Sequence, residues 1–185
     1  MVDAAPHAVV PPAGEAATPR ATKALLVATL VLDAGAIALF LATKGDPVDA
    51  RFAAWFLLLF TGLFLARVVG QLLVRARRPG WLPPTEQWHL MPYRLLLPAQ
   101  LAILAVMGWL AQAFFRESGA VVDRSHGAGQ LLLGLSCVYA GGMVVRYATR
   151  MARRPEERWF GGAIPIVFHL VLASHLFVLG SFHAF

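Results

Sequence analysis

Apolar residues fall into five long stretches, at 24–42, 52–74, 93–115, 129–145 and 160–182. Each approaches the roughly 20 residues a helix needs to cross the hydrocarbon of a bilayer. Inside lipid the backbone must satisfy its own polar groups, and helices do this within one segment. The pattern therefore predicts an all-α fold, a polytopic membrane bundle of five transmembrane helices. No internal repeat and no inverted symmetry between the halves shows in the spacing.

Between the stretches lie short polar connections. The first, KGDPVDAR, is mixed in charge, and the third, RESGAVVDRSHGA, is polar with glycines. The second, residues 75–92, is the longest. Its prolines oppose a regular helix, and Trp81, Trp88, Leu90 and Met91 suit a segment lying along head groups. The fourth, RMARRPEERW, is strongly basic. Residues 1–21 hold four prolines and many alanines without amphipathic period, so they read as a disordered or partner-bound tail. Residues 22–185 then form the five-helix domain. The first stretch exceeds the roughly 7–15 apolar residues of a signal-peptide core, which favours an uncleaved span.

Composition agrees. The 185 residues are 58% hydrophobic and only 14% charged, which leaves no room for a separate soluble domain. The formal charge of +6 sits in short loops. There it sets topology and meets anionic lipid, and no recognition motif points to nucleic acid. Eleven basic residues share one side: Arg20, Lys23, Arg75, Arg77, Arg78, Arg94, Arg146, Arg150, Arg153, Arg154 and Arg158. Four share the other: Lys44, Arg51, Arg116 and Arg124. The positive-inside rule then predicts a cytoplasmic N-terminus and a periplasmic C-terminus. Trp81, Trp88 and Trp159 would mark the inner interface, Trp55 and Trp109 the outer one. The 14 arginines against two lysines, with abundant alanine, suggest a GC-rich bacterial source and an inner-membrane location.

Motifs exclude several classes. Cys137 is the sole cysteine, so internal disulfides and paired-cysteine metal sites are ruled out. There is no phosphate-binding or dinucleotide-binding glycine loop, no nucleophile elbow and no zinc-protease helix. Glu86 with His89, and Asp123 with His126, read as solvated loop residues rather than acid–base pairs. Ala34, Ala38 and Ala42 on the first span, and Gly134, Cys137 and Gly141 on the fourth, form small-residue faces. Such faces serve packing within the chain or docking of a partner helix, lipid or carotenoid-like chain.

Ionisable residues at membrane depth are costly and are functional candidates by default. At about 1.5 Å per residue from the inner edge of each stretch, Asp33 and His169 lie about 14 Å deep, and Arg67 and Gln100 about 10 Å. The expectation is one buried polar cluster of Asp33, Arg67, Gln100 and His169, with Asp33 and Arg67 paired across consecutive spans. That cluster serves either as a structural clamp or as a proton relay, quinone site or ion site. Pro165, four residues after Gly161, predicts a kink beside His169, and Pro98 a similar one beside Gln100.

The last span also offers cofactor ligands: His169, His175 and, just past its end, His183. His169 and His183 stand about 40° apart round the helix and about 21 Å along it, which suits two stacked haems. A second helix with matching histidines is missing, since His7, His89 and His126 fall in the tail or loops. A single haem paired with Met143, or a chlorophyll-type pigment held by one histidine, needs fewer ligands.

Three functions follow. The first is a non-catalytic accessory or structural subunit of a larger respiratory or photosynthetic membrane complex, in contact with lipid and other membrane subunits. The second is a redox subunit binding haem or quinone. The third is a small transporter or proton-conducting protein built on Asp33, Arg67 and His169.

Overall fold

A computed structural model describes residues 20–77, 79–82, 93–153 and 162–185. Within them are five helices: α1 (Arg20–Thr43), α2 (Ala50–Arg77), α3 (Tyr93–Arg116), α4 (His126–Arg153) and α5 (Ala163–Ala184). All five are long and apolar enough to cross a membrane. The protein is thus an all-helical bundle with the fold of a five-span integral membrane protein. The tail, most of the second loop and the fourth loop, with His7, Glu86, His89, Trp88 and Trp159, lie outside the described residues.

The helices overrun the apolar stretches. α1 begins four residues before the first stretch, and α4 continues eight residues beyond Val145 through Arg146, Arg150 and Arg153. A hydrophobic run marks only the lipid-facing part of a helix, and its solvated end turns read as loop. His126, expected in a loop, opens α4, and His183 lies inside the last turn of α5.

Contacts at the two ends fix an alternating arrangement. At the arginine-rich end, the Arg75 guanidinium sits 4.5 Å above the Tyr93 ring, joining α2 to α3. There too Thr22 donates its hydroxyl to the Trp81 carbonyl at 3.2 Å. At the opposite end, Asp49 Oδ1 accepts the Phe52 N–H at 2.8 Å and caps α2. Arg51 pairs with Glu117 at 2.5 Å, an exposed bridge between the starts of α2 and of the third loop. Arg124 donates to the Phe182 carbonyl at 2.7 Å and also to the Val48 carbonyl. Trp55 and Trp109 are exposed towards this end, and the Trp55 ring meets Phe115 edge-on at 4.9 Å.

α5 is the axis of the bundle. It packs most extensively on α4, then on α2 and α1, while α3 packs on α2. α1 and α2, although consecutive, touch little. The α4–α5 contact depends on glycines. A side chain at Gly129 would overlap the backbone of His183 and Ala184, and one at Gly180 would meet the Leu133 backbone nitrogen at 2.8 Å. Ser136 donates to the Ala173 carbonyl at 2.8 Å across the same seam. Aromatic rings close the core between α1, α2 and α5, with Phe40 against Phe52, Phe56 and Phe177.

Pro165 does not act as expected. α5 begins at Ala163, after Gly162 in a left-handed conformation with φ 61°. Pro165 therefore occupies the first helical turn, where its missing N–H has no partner to lose. A kink beside His169 is not required. Pro98 does lie within a helix, α3.

Candidate intramembrane polar sites

The interior of the bundle is apolar but not uniformly so. Asp33, Arg67, Gln71, Gln100, Ser136, His175 and Ser181 are all buried, and His169 and Ser174 are half-buried. These groups come from all five helices, and Asp33, Arg67 and Ser136 meet α5.

The expected pairing of Asp33 with Arg67 is not found. Among the described residues the one ion pair is Arg51 with Glu117. Asp33 Oδ2 instead accepts a hydrogen bond from the Ser174 hydroxyl at 3.1 Å. The Arg67 guanidinium lies 5.5 Å from the Phe168 ring and 5.9 Å from Phe64. Both side chains thus point to α5, at different heights. Phe168 and Ser174 are six residues apart, about 9 Å along the helix and about 120° around it. Opposite charges on consecutive spans do not pair here because α5, the last span, inserts between the first two, which touch little.

The four polar groups expected in one cluster therefore divide. Towards the arginine-rich end, the positive charge of Arg67 acts on both Tyr139 and His169, and that of Arg146 on His169 as well. The Tyr139 hydroxyl lies 2.5 Å from His169 Nδ1, and the two rings meet edge-on at 5.6 Å. Deeper in the bundle, Asp33 and Ser174 form a separate site. Gln100, on α3, is buried with neither amide atom hydrogen-bonded, and so is Gln71 on α2. They lie six and seven residues from the arginine-rich ends of neighbouring helices, so about 10 Å in.

The three histidines offered as cofactor ligands do not form one site. His169 and His175 lie about 120° apart around α5, and His183 a further 12 Å or so along it. His175 is only 3% exposed, in the core of the bundle. The Leu57 carbonyl approaches its ring without completing a well-formed hydrogen bond to either nitrogen. His183 meets the Phe114 and Phe182 rings edge-on near the guanidinium of Arg124. Among the described residues no group of three or more His, Cys, Asp or Glu is arranged to hold a metal ion. Asp123 and His126 form no pair. His126 Nδ1 lies 3.0 Å from the Ala184 carbonyl, and its Nε2 lies 2.8 Å from Gln130.

Both small-residue faces turn outward. Ala34, Ala38 and Ala42 are exposed on α1. On α4, Gly127, Gly134, Gly141 and Gly142 have open space where a side chain would project. Cys137 and Val138 are exposed beside them. The seam that packs α4 within the chain uses Gly129 and Ser136 on its other side.

No family model matches the chain, and neither a curated protein nor a solved structure shows significant similarity to it.

Proposed function

We propose that this five-span membrane protein works as a non-catalytic subunit of a larger membrane complex, docked through the outer face of α4. One observation carries the reading. Glycine on a lipid-facing surface contributes neither packing nor apolar area, yet Gly127, Gly134 and Gly141 recur every seven residues on that face. In membranes such small-residue faces let a second helix approach closely. Respiratory and photosynthetic assemblies are the class of complex to examine first, since they contain many small subunits of this type. Cys137 lies on the same face and provides the test. A photocrosslinker attached there, in native membranes, should capture one protein partner in constant yield. Gly134→Leu and Gly141→Leu should abolish that product while leaving the monomer folded. Crosslinks to lipid alone would refute docking at α4.

A second reading rests on His169. Tyr139 engages Nδ1, and a fixed ring leaves Nε2 as the nitrogen a haem or chlorophyll metal would take. An absorption spectrum of the protein purified in mild detergent tests it. A porphyrin band lost in His169→Ala supports ligation, and a colourless protein rejects it.

A further inference from the structure

We propose that Asp33 is a proton-binding carboxyl in the membrane interior, holding an exchangeable proton on Oδ1. Asp33 lies 13 residues from the start of α1 and 10 from its end. It is therefore about 20 Å from one helix terminus and about 15 Å from the other. It is only 7% exposed. Oδ2 accepts the Ser174 hydroxyl, whereas Oδ1 has no hydrogen-bond partner.

The groups facing α1 decide the charge state. α1 packs on α5 and, less, on α2. From α5 the ionisable groups within the span are His169, His175 and His183. From α2 the one within the span is Arg67. None of them comes within 4 Å of the Asp33 carboxylate to form a salt bridge. A bare carboxylate with one hydrogen bond in that surrounding is too costly to keep, and it takes up a compensating cation. A sodium or calcium ion needs a shell of several oxygens. Among the described residues the carboxylate's one hydrogen-bond partner, Ser174, turns its proton towards Asp33, and no group of acidic or histidine side chains is gathered there to hold a metal ion. A proton needs no further ligand. It binds Oδ1 and leaves Oδ2 as the acceptor for Ser174, so the equilibrium is carboxylate plus proton to carboxylic acid, with nothing else consumed.

The site has a route to function independent of α4 docking. His175, the next residue after Ser174, is buried with neither ring nitrogen in a well-formed bond. It offers a second protonatable group in the same layer of α5.

The test uses the membrane-soluble reagent dicyclohexylcarbodiimide, which reacts with a protonated carboxylic acid in an apolar setting. The acid proton passes to a carbodiimide nitrogen, and the carboxyl oxygen adds to the central carbon. The adduct then rearranges to a stable acylurea. With the intact protein in lipid vesicles, mass spectrometry should find the label on Asp33, with the rate falling as pH is raised. A water-soluble carbodiimide should label the exposed carboxyls instead. Asp33→Asn should remove the membrane label, and Ser174→Ala should raise the Asp33 rate several-fold by uncovering Oδ2. Should Asp33→Asn not fold, the contrast of the two reagents on the unaltered chain decides. No label on Asp33 at any pH, or equal labelling by both reagents, would overturn the assignment.

Discussion

Ser174 on the last helix donates its hydroxyl to Oδ2 of Asp33 on the first, 141 residues away in sequence, across 3.1 Å. This bond ties the two ends of the chain together inside the bundle. It also separates Asp33 from Arg67: Oδ2 of the aspartate is held by α5, and the Arg67 guanidinium lies beside Phe168 at another height of the same helix. Ser174→Ala should therefore destabilise the bundle by about 1 kcal/mol, the usual scale for one interhelical hydrogen bond in a membrane. In a double-mutant cycle, Asp33→Ala with Ser174→Ala should show coupling. Asp33→Ala with Arg67→Ala should be additive to within about 0.5 kcal/mol. Unfolding in mixed micelles measures both cycles, and strong Asp33–Arg67 coupling would contradict the geometry.

Glycines on the two sides of α4 should behave oppositely. Gly180→Val, or any side chain at Gly129, must push α4 from α5, because the atoms met are backbone. The cost should be about 1–3 kcal/mol or more, as for other overpacked interiors. Gly134→Leu meets open space and should leave monomer stability within about 0.5 kcal/mol. Thermal unfolding of the two variants in detergent separates them. Equal losses would mean that the outer face of α4 already packs within the chain.

The number and type of the helices are legible because the bilayer imposes one strong constraint, a long apolar run; their full lengths are not, because the solvated end turns carry no such run. Which helix sits in the middle was also written in the sequence, though less openly. His169, Ser174, His175, Ser181 and His183 point in several directions around one helix at about 100° per residue. A membrane helix with polar groups on so many sides has little surface to spare for lipid. Pairing was less accessible. Asp33 and Arg67 have opposite charge on consecutive spans, and nothing in local pattern says that the fifth span will part them. Tyr139 and Ser174, the actual hydrogen-bond partners, carry no charge, yet both are polar side chains at membrane depth, the same signal that marks Gln100.

Arg124 holds the end of the bundle opposite the arginine-rich one. It donates to the Phe182 and Val48 carbonyls and lies 4.6 Å from the Phe182 ring. Hydrogen bonds from a charged donor are worth about 1.5–3 kcal/mol. Arg124→Ala should lower stability by about that amount and speed amide exchange at the last turn of α5. Arg124→Lys should recover only part, since an ammonium lacks the planar fork that spans two carbonyls. Full recovery by lysine would show that charge alone matters there.

The arginine-rich end should face the cytoplasm. α2 closes with Arg75 and Arg77 and α4 with Arg150 and Arg153. Arg116 and Arg124 flank the loop at the other end, where Trp55 and Trp109 are exposed. Short basic loops resist translocation, which is the origin of the positive-inside rule. Reporter fusions after Leu82 and after Gly119 should give opposite signals, the first cytoplasmic. Matching signals would mean that α3 does not span, and reversed signals that the charge bias does not set orientation.

His169 should depend on Tyr139 for its orientation. The imidazole is half-buried beside α4, and the Tyr139 hydroxyl is its one hydrogen-bond partner among the described residues. Removing that hydroxyl strands Nδ1 in an apolar layer, where a lost partner costs about 1–3 kcal/mol. Tyr139→Phe should therefore destabilise nearly as much as His169→Phe does, and the double change should cost little more than either alone. Replacing both groups removes the polar pair from the interior altogether. If His169 also ligates a porphyrin through Nε2, Tyr139→Phe should shift the absorption band, whereas His169→Phe should abolish it. A band that Tyr139→Phe leaves in place and His169→Phe does not alter would put any pigment at another site. Equal stability of all three variants would mean that the Tyr139–His169 bond does not contribute to the fold.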